Sequence, residues 1–304
     1  MTDNSSEENI KKHLQKQISF NSGKNLLAED QINSLKFIDV SESLVEKIRE
    51  MDTETERSMI DFLTDEALQE FCRVNQYFSF NAASVNELKA IYVELVQCIR
   101  KLKPNADKTV LDAVSHTHYL HLCDWLVHTN AFAGKMYSGD QEYAMPVACS
   151  EYPPDLQLSI LNIDLKTLLE PVLDIGCGRE LNLVNYLRDN GIEAYGIDRF
   201  DNINPYYYKT DWLEYNFELE KWGCLISNLG FSNHFIHHNL RVDGNYREYA
   251  QKYMDILSSL KIGGSFYYAP DLPFIEKHLD SSKYLYTGNI IEGYVYKSIR
   301  ITRI

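Results

Sequence analysis

The chain has 304 residues, 44% of them apolar, enough for a packed core in one large or two modest domains, so a disordered chain is excluded. Its formal charge of −14 repels phosphate backbones and no dense Lys/Arg stripe offsets it, which disfavours nucleic acid as a substrate. The 6 cysteines form no Cys-x-x-Cys pair, and no apolar run approaches the roughly 20 residues of a membrane span; both point to a reducing, cytoplasmic setting away from the membrane.

Residues 1–29 are rich in Asn, Ser, Lys and Glu and read as a flexible, solvated arm; the polar and acidic stretch from Met1 to Glu8 is unlike a secretory signal. Residues 30–145 carry helical apolar spacing, with Ser/Thr-x-x-Glu start signals at Ser43, Thr53 and Ser84. Pro104 and Asn105 break one helix, and another is expected from Lys108 to Val127. His116, His118, His121 and His128 fall on it with Asp124, but the intervening Tyr119, Leu122, Trp125 and Leu126 describe an amphipathic helix, and no metal is expected. This helical domain is expected to cover a small-molecule substrate or to form a homodimer. Gly134, Gly139, Pro146, Pro153 and Pro154 punctuate the connection to a second domain, residues 146–304.

In that second domain short β-type runs alternate with helical ones. The strands are expected at Pro171–Ile175, Glu193–Ile197, Tyr206–Thr210, Cys224–Asn228 and Ser265–Ala269, and the helices at Leu181–Asn190 and Tyr246–Leu260. Such alternation predicts an α/β fold with a mostly parallel sheet. The last segment, Lys283 to Ile304, reads as two strands without a helix between them, an antiparallel hairpin at the sheet edge.

The central feature is Pro171-Val-Leu-Asp-Ile-Gly-Cys-Gly-Arg-Glu-Leu, a hydrophobic strand turning through Gly176 and Gly178 into a helix. Glycines permit tight turning and close approach of backbone to ligand. A dinucleotide fingerprint would need glycine where Leu181 stands, and Asp174 would repel a pyrophosphate while accepting a sulfonium or an amino group. The stretch from Val172 to Gly178 resembles the first motif of class I S-adenosylmethionine-dependent methyltransferases. The resemblance implies a Rossmann-like, seven-stranded, mostly parallel sheet with an antiparallel C-terminal edge strand, preceded here by the α-helical domain. It also implies S-adenosyl-L-methionine as cofactor, held at Asp174, Gly176, Cys177 and Gly178. The family's third glycine would fall at Glu180.

Asp198, at the end of the next strand and a strand–helix–strand distance on, is expected to accept the ribose hydroxyls, with Arg199 beside it. Only Arg199 to Pro205 separate it from the following strand, so a loop replaces the usual crossover helix. By the same resemblance Asp211 would bind the adenine amine and Trp212 its face, against the plainer readings of a helix cap for Tyr215–Glu220 and a core aromatic. The fourth strand runs into a polar cluster, and the carboxyl ends of such strands meet the substrate. Asn228 is expected at both cofactor and reacting centre, His234 or His237 as general base, and Ser232 and His238 at the substrate. Ahead of the first strand, Tyr152 and Gln157 complete the substrate set by analogy of fold. The expected activity is methyl transfer to an O or N nucleophile of a small or medium-sized molecule. Two other classes stay open: a non-catalytic S-adenosylmethionine or adenosine binder, and an NAD-dependent oxidoreductase.

Overall fold

The computed structural model describes residues 4–22, 24, 26–27, 42–103, 107–137, 147–149 and 151–304. The break at Pro104 and Asn105, the expected domain limits near residues 29 and 145, and the side chain of Ser43 lie outside the described residues. Two compact units emerge, Met1–Cys149 and Ser150–Ile304.

The N-terminal unit contains α1 (Asn4–Asn21), α2 (Glu42–Glu50), α3 (Thr53–Val74), α4 (Ala82–Arg100), α5 (Lys108–Thr129) and α6 (Phe132–Tyr137). α1 replaces much of the expected solvated arm: Leu14 and Ile18, one helical turn apart, pack against the core of the unit. The helix starts also shift. Asp52, Asn81 and Asp107 accept the amide hydrogens of Thr55 (2.7 Å), Ser84 (2.9 Å) and Val110 (3.0 Å), so Thr53 and Ser84 fall inside their helices. A carboxylate or amide oxygen already in place at the cap leaves no such work for a hydroxyl further on. Trp125 anchors the core, stacking on Phe80 at 4.8 Å and donating its indole hydrogen to the Ser84 carbonyl.

The C-terminal unit carries the Rossmann-like sheet that the sequence predicts. Its seven strands lie in the order β3-β2-β1-β4-β5-β7-β6. β1 (Val172–Ile175), β2 (Ala194–Asp198), β3 (Tyr207–Lys209), β4 (Trp222–Asn228) and β5 (Leu260–Ala269) run parallel. β6 (Tyr284–Ile290) and β7 (Lys297–Arg303) form the edge hairpin, in which the reversed strand β7 is the one paired with β5. α7 (Pro154–Leu161), α8 (Asn182–Asp189), α9 (Phe231–Leu240), α10 (Tyr246–Ser258) and α11 (Pro273–Glu276) accompany them.

Side chains alternate between the sheet faces, and both faces are covered. Leu173, Leu225 and Phe266 enter one hydrophobic cluster, while Val172, Ile226 and Tyr267 enter the other. No helix interrupts the β2–β3 connection, as its short length requires, and Tyr215–Glu220 forms no helix either. The carboxyl ends of β1, β2 and β4 therefore lie side by side, and the polar residues that follow them share one edge of the sheet.

Candidate functional site

The loop after β1 turns through left-handed backbone at Gly176 (φ 78°), Gly178 (φ 74°) and Leu181 (φ 51°). Glu180 is not among the left-handed positions, so glycine is not required there for conformation. The amide hydrogens of Gly176 and Cys177 both go to the carbonyl of Ile197, tying the loop to the end of β2. Cys177, expected at the cofactor, has its side chain buried: a Cβ on Gly196 would stand 2.6 Å from its Sγ. Its thiol fills the gap over that glycine, leaving only the Cys177 backbone to the loop.

Two carboxylates stand at the strand ends. Asp174 is 2% exposed and accepts no hydrogen bond from any described residue; burial, reinforced by the negative Asp198, pushes its pKa up to about 8. Asp198 is buried too. Its Oδ2 accepts the Gly178 amide hydrogen at 2.9 Å and its Oδ1 that of Arg199 at 2.7 Å. Burial raises its pKa, and the Arg199 charge and these amide bonds oppose the rise. Two buried acids side by side, one without a donor among the described residues, hold a proton near neutrality that a cation or strong hydrogen-bond donors could replace.

A third carboxylate was missed by sequence reasoning. Glu151, just before Tyr152, lays its Oε1 on the Arg179 amide at 2.7 Å and its Oε2 on that of Glu180 at 3.0 Å. It roofs Gly178, where a Cβ would lie 3.1 Å from the Glu151 carboxyl carbon. Burial and the nearby Glu180 and Asp198 raise its pKa, while its amide bonds lower it. A single Glu in an aperiodic segment carries no sequence signal for this contact. Of its neighbours, Gln157 donates its amide to the Tyr152 carbonyl at 2.9 Å, an internal bond that shapes this segment.

Trp212 roofs the other glycine, its ring edge 3.1 Å from a Cβ placed on Gly176. His234 supports it from behind: the rings meet edge to face at 4.9 Å, and His234 is buried with its Nδ1 3.5 Å from the Tyr249 hydroxyl. The neighbouring Asp211 is exposed and accepts the Leu213 amide hydrogen at 2.8 Å, capping a short turn.

At the end of β4, Ser227 donates to the Ile175 carbonyl (2.9 Å) and accepts from the Phe231 amide (3.1 Å), pinning the start of α9 to the end of β1. Between these bonds Asn228 keeps both side-chain polar atoms buried with no partner among the described residues, and Leu229 takes a left-handed φ of 58°. Unsatisfied amides and strained backbone of this kind gather where a ligand completes the bonding.

The rest of the polar cluster serves the fold, which corrects three expectations. Ser232 is fully buried and donates to the Ala269 carbonyl at 2.7 Å, so it cannot face a substrate. His237 is fully buried with Nε2 2.9 Å from the Arg241 guanidinium; burial and that positive charge pull its pKa down to about 3, and it cannot act as a base near neutrality. His238 accepts the Asn245 amide hydrogen at Nδ1 and stacks on Tyr249 at 4.7 Å, a bond and a contact that tie α9 to α10. The structure thus brings Asp174, Gly176, Gly178, Asp198, Arg199, Trp212 and Asn228 to one edge, and assigns Cys177, Ser232, His237 and His238 to packing.

No protein-family model matches the sequence, and no curated protein matches it. Solved structures similar in fold include a TehB-like SAM-dependent methyltransferase from Corynebacterium glutamicum, with 14% identity, 44% of this chain and 79% of that chain covered, and a TM-score of 0.33. A SAM-dependent methyltransferase from Bacteroides fragilis, in complex with S-adenosyl-L-homocysteine, shares 12% identity over 51% of this chain and 85% of its own, with a TM-score of 0.32. The 1,6-didemethyltoxoflavin-N1-methyltransferase of Burkholderia thailandensis shares 13% over 43% and 68%, at a TM-score of 0.30. Similarities at this level carry no argument about function, which has to be read from the residues of the site.

Proposed function

We propose that the C-terminal unit binds S-adenosylmethionine and transfers its methyl group to an O or N nucleophile of a small or medium-sized molecule. The observation that carries this reading is the buried pair Asp174 and Asp198 at the ends of adjacent strands, with Asp174 lacking any donor among the described residues. A pyrophosphate would add negative charge to that pair. An ammonium and a ribose would supply the positive charge and the hydroxyl donors it lacks. The fit extends to the turn through Gly176 and Gly178, which seats the Trp212 ring and the Glu151 carboxylate against the loop, and to the Asn228 amide, unpartnered among the described residues.

When bound, S-adenosylmethionine supplies an electrophilic methyl on a sulfonium. Asp174 would hold the amino group, Asp198 the ribose, and Trp212, with Asp211 beside it, the adenine. Asn228, at the end of β4, would donate and accept one hydrogen bond each and so orient the nucleophile. In-line displacement gains most from alignment of this kind. With His237 neutral and bonded to Arg241, proton removal falls to solvent or to the acceptor itself. The excess of acidic residues in the chain fits an acceptor other than nucleic acid. Incubation of the full chain with methyl-labelled cofactor and a fractionated cell extract tests this: label should enter the small-molecule fraction. Cofactor binding without label in any fraction would favour the non-catalytic binder.

A further inference from the structure

Between α1, α3, α4 and α5 of the N-terminal unit lies a cavity of about 200 Å³. Aliphatic and aromatic side chains make most of its wall, among them Ile18, Met59, Leu63, Leu95, Val96 and Ile99. Native interiors leave few voids larger than a water molecule. Apolar voids of about 150 Å³ stay dry and take up molecules the size of benzene. The cavity here is larger and partly open to its surroundings, and its wall of core side chains offers an apolar binding volume of comparable size.

The charged groups on the wall already have internal partners. Lys24 donates to Asn21 at 3.1 Å and lies 4.3 Å above the Phe20 ring, while Glu70 accepts two bonds from Arg73. The Tyr119 hydroxyl is likewise committed, donating to the Leu26 carbonyl at 2.9 Å. A charged ligand would have to lose its water here with little in return. His118 differs from these groups. It packs on Tyr92 at 5.3 Å, and burial lowers its pKa to about 4, so it faces the cavity region as a neutral imidazole near pH 7.

We propose that this cavity is a second ligand site, for an uncharged apolar molecule of about six to ten carbon atoms, with His118 giving or accepting its one hydrogen bond. A short alkyl alcohol or a singly substituted aromatic ring has this chemistry. The site is independent of the cofactor reading, because every residue in it belongs to the N-terminal unit.

Isothermal titration of the full chain with 1-octanol, and with octanoate as its charged counterpart, tests the proposal. Saturable 1:1 binding of 1-octanol is expected, with a negative heat-capacity change from apolar burial and an affinity at least about tenfold above that of octanoate. Ala67 lines the cavity on α3 and Leu95 on α4. Ala67→Phe or, should that variant fold poorly, Leu95→Phe should abolish octanol binding while leaving the helical circular dichroism and S-adenosylhomocysteine binding unchanged. No octanol binding by the wild type would mean that water or the chain's own residues fill the cavity, and would overturn the proposal. So would equal binding of octanoate, or binding undiminished in a folded filling variant.

Discussion

Two groups of polar side chains stand at the same edge of the sheet, and they differ in how far their bonding is complete. In α9 the hydroxyl and imidazoles look catalytic by residue type, yet Ser232 bonds to Ala269, His238 to Asn245 and His237, through Nε2 alone, to Arg241. At the ends of β1 and β4, neither Asp174 nor the Asn228 amide has a hydrogen-bond partner among the described residues. A satisfied polar group is structure, whereas an unsatisfied buried one stores a free-energy cost that a ligand can recover. On that difference rests the proposal of a site at the strand ends rather than in the helix.

The widest separation between the two groups is expected from Asp198→Ala. Loss of a charged acceptor for two hydroxyls, about 1.5–3 kcal/mol, corresponds to an S-adenosylhomocysteine affinity roughly 10- to 150-fold weaker. Affinity within a factor of two of wild type in calorimetry would remove Asp198 from the site. Asp174→Asn should cut the other way on the free protein. The wild-type carboxyl, raised to about 8, is protonated in the folded state where the unfolded chain is ionised, so its contribution to stability falls as pH climbs from about 4 to 8 and is flat beyond. An amide avoids that loss, and at pH 8 the variant should melt above wild type while binding the ligand more weakly. A variant that lost both stability and affinity would show that Asp174 is paired after all.

On the helix, His237→Ala should cost about 1–3 kcal/mol of stability by stripping the Arg241 guanidinium of a buried acceptor. Ligand affinity in chemical-denaturation-matched conditions should hold; a large affinity loss in a folded His237 variant would blur the distinction between the groups. The smallest effect belongs to His234→Ala. Because His234 backs Trp212, ligand affinity should weaken by a few-fold, about 1 kcal/mol or less, with tryptophan fluorescence altered in the free protein. Unaltered affinity and fluorescence, with turnover abolished, would restore His234 as a base.

Much of this arrangement was legible in the residues. The strand from Val172 to Ile175, its two glycines and the acid at Asp198 follow from local pattern, and local pattern fixes a parallel sheet. Glu180 looked like a departure only because spacing was counted by residue type; the left-handed turn falls at Leu181, a backbone fact invisible in sequence. His237 and Arg241 stand four apart, a spacing that could have suggested their pairing. The bond from Ser232 to Ala269 and the seat of Glu151 on the glycine loop join distant segments, and no periodicity reports them.

The central claim is that the Asp174–Asp198 pair is a cation-seeking cofactor site. Its most direct test is calorimetric titration of the wild type with S-adenosylhomocysteine from pH 6 to pH 9. Because ligand uptake requires Asp174 to ionise, affinity should rise by about tenfold per pH unit up to a pH of about 8 and then level off. Binding that ignores pH, or tight binding of NADH with none of S-adenosylhomocysteine, would contradict it.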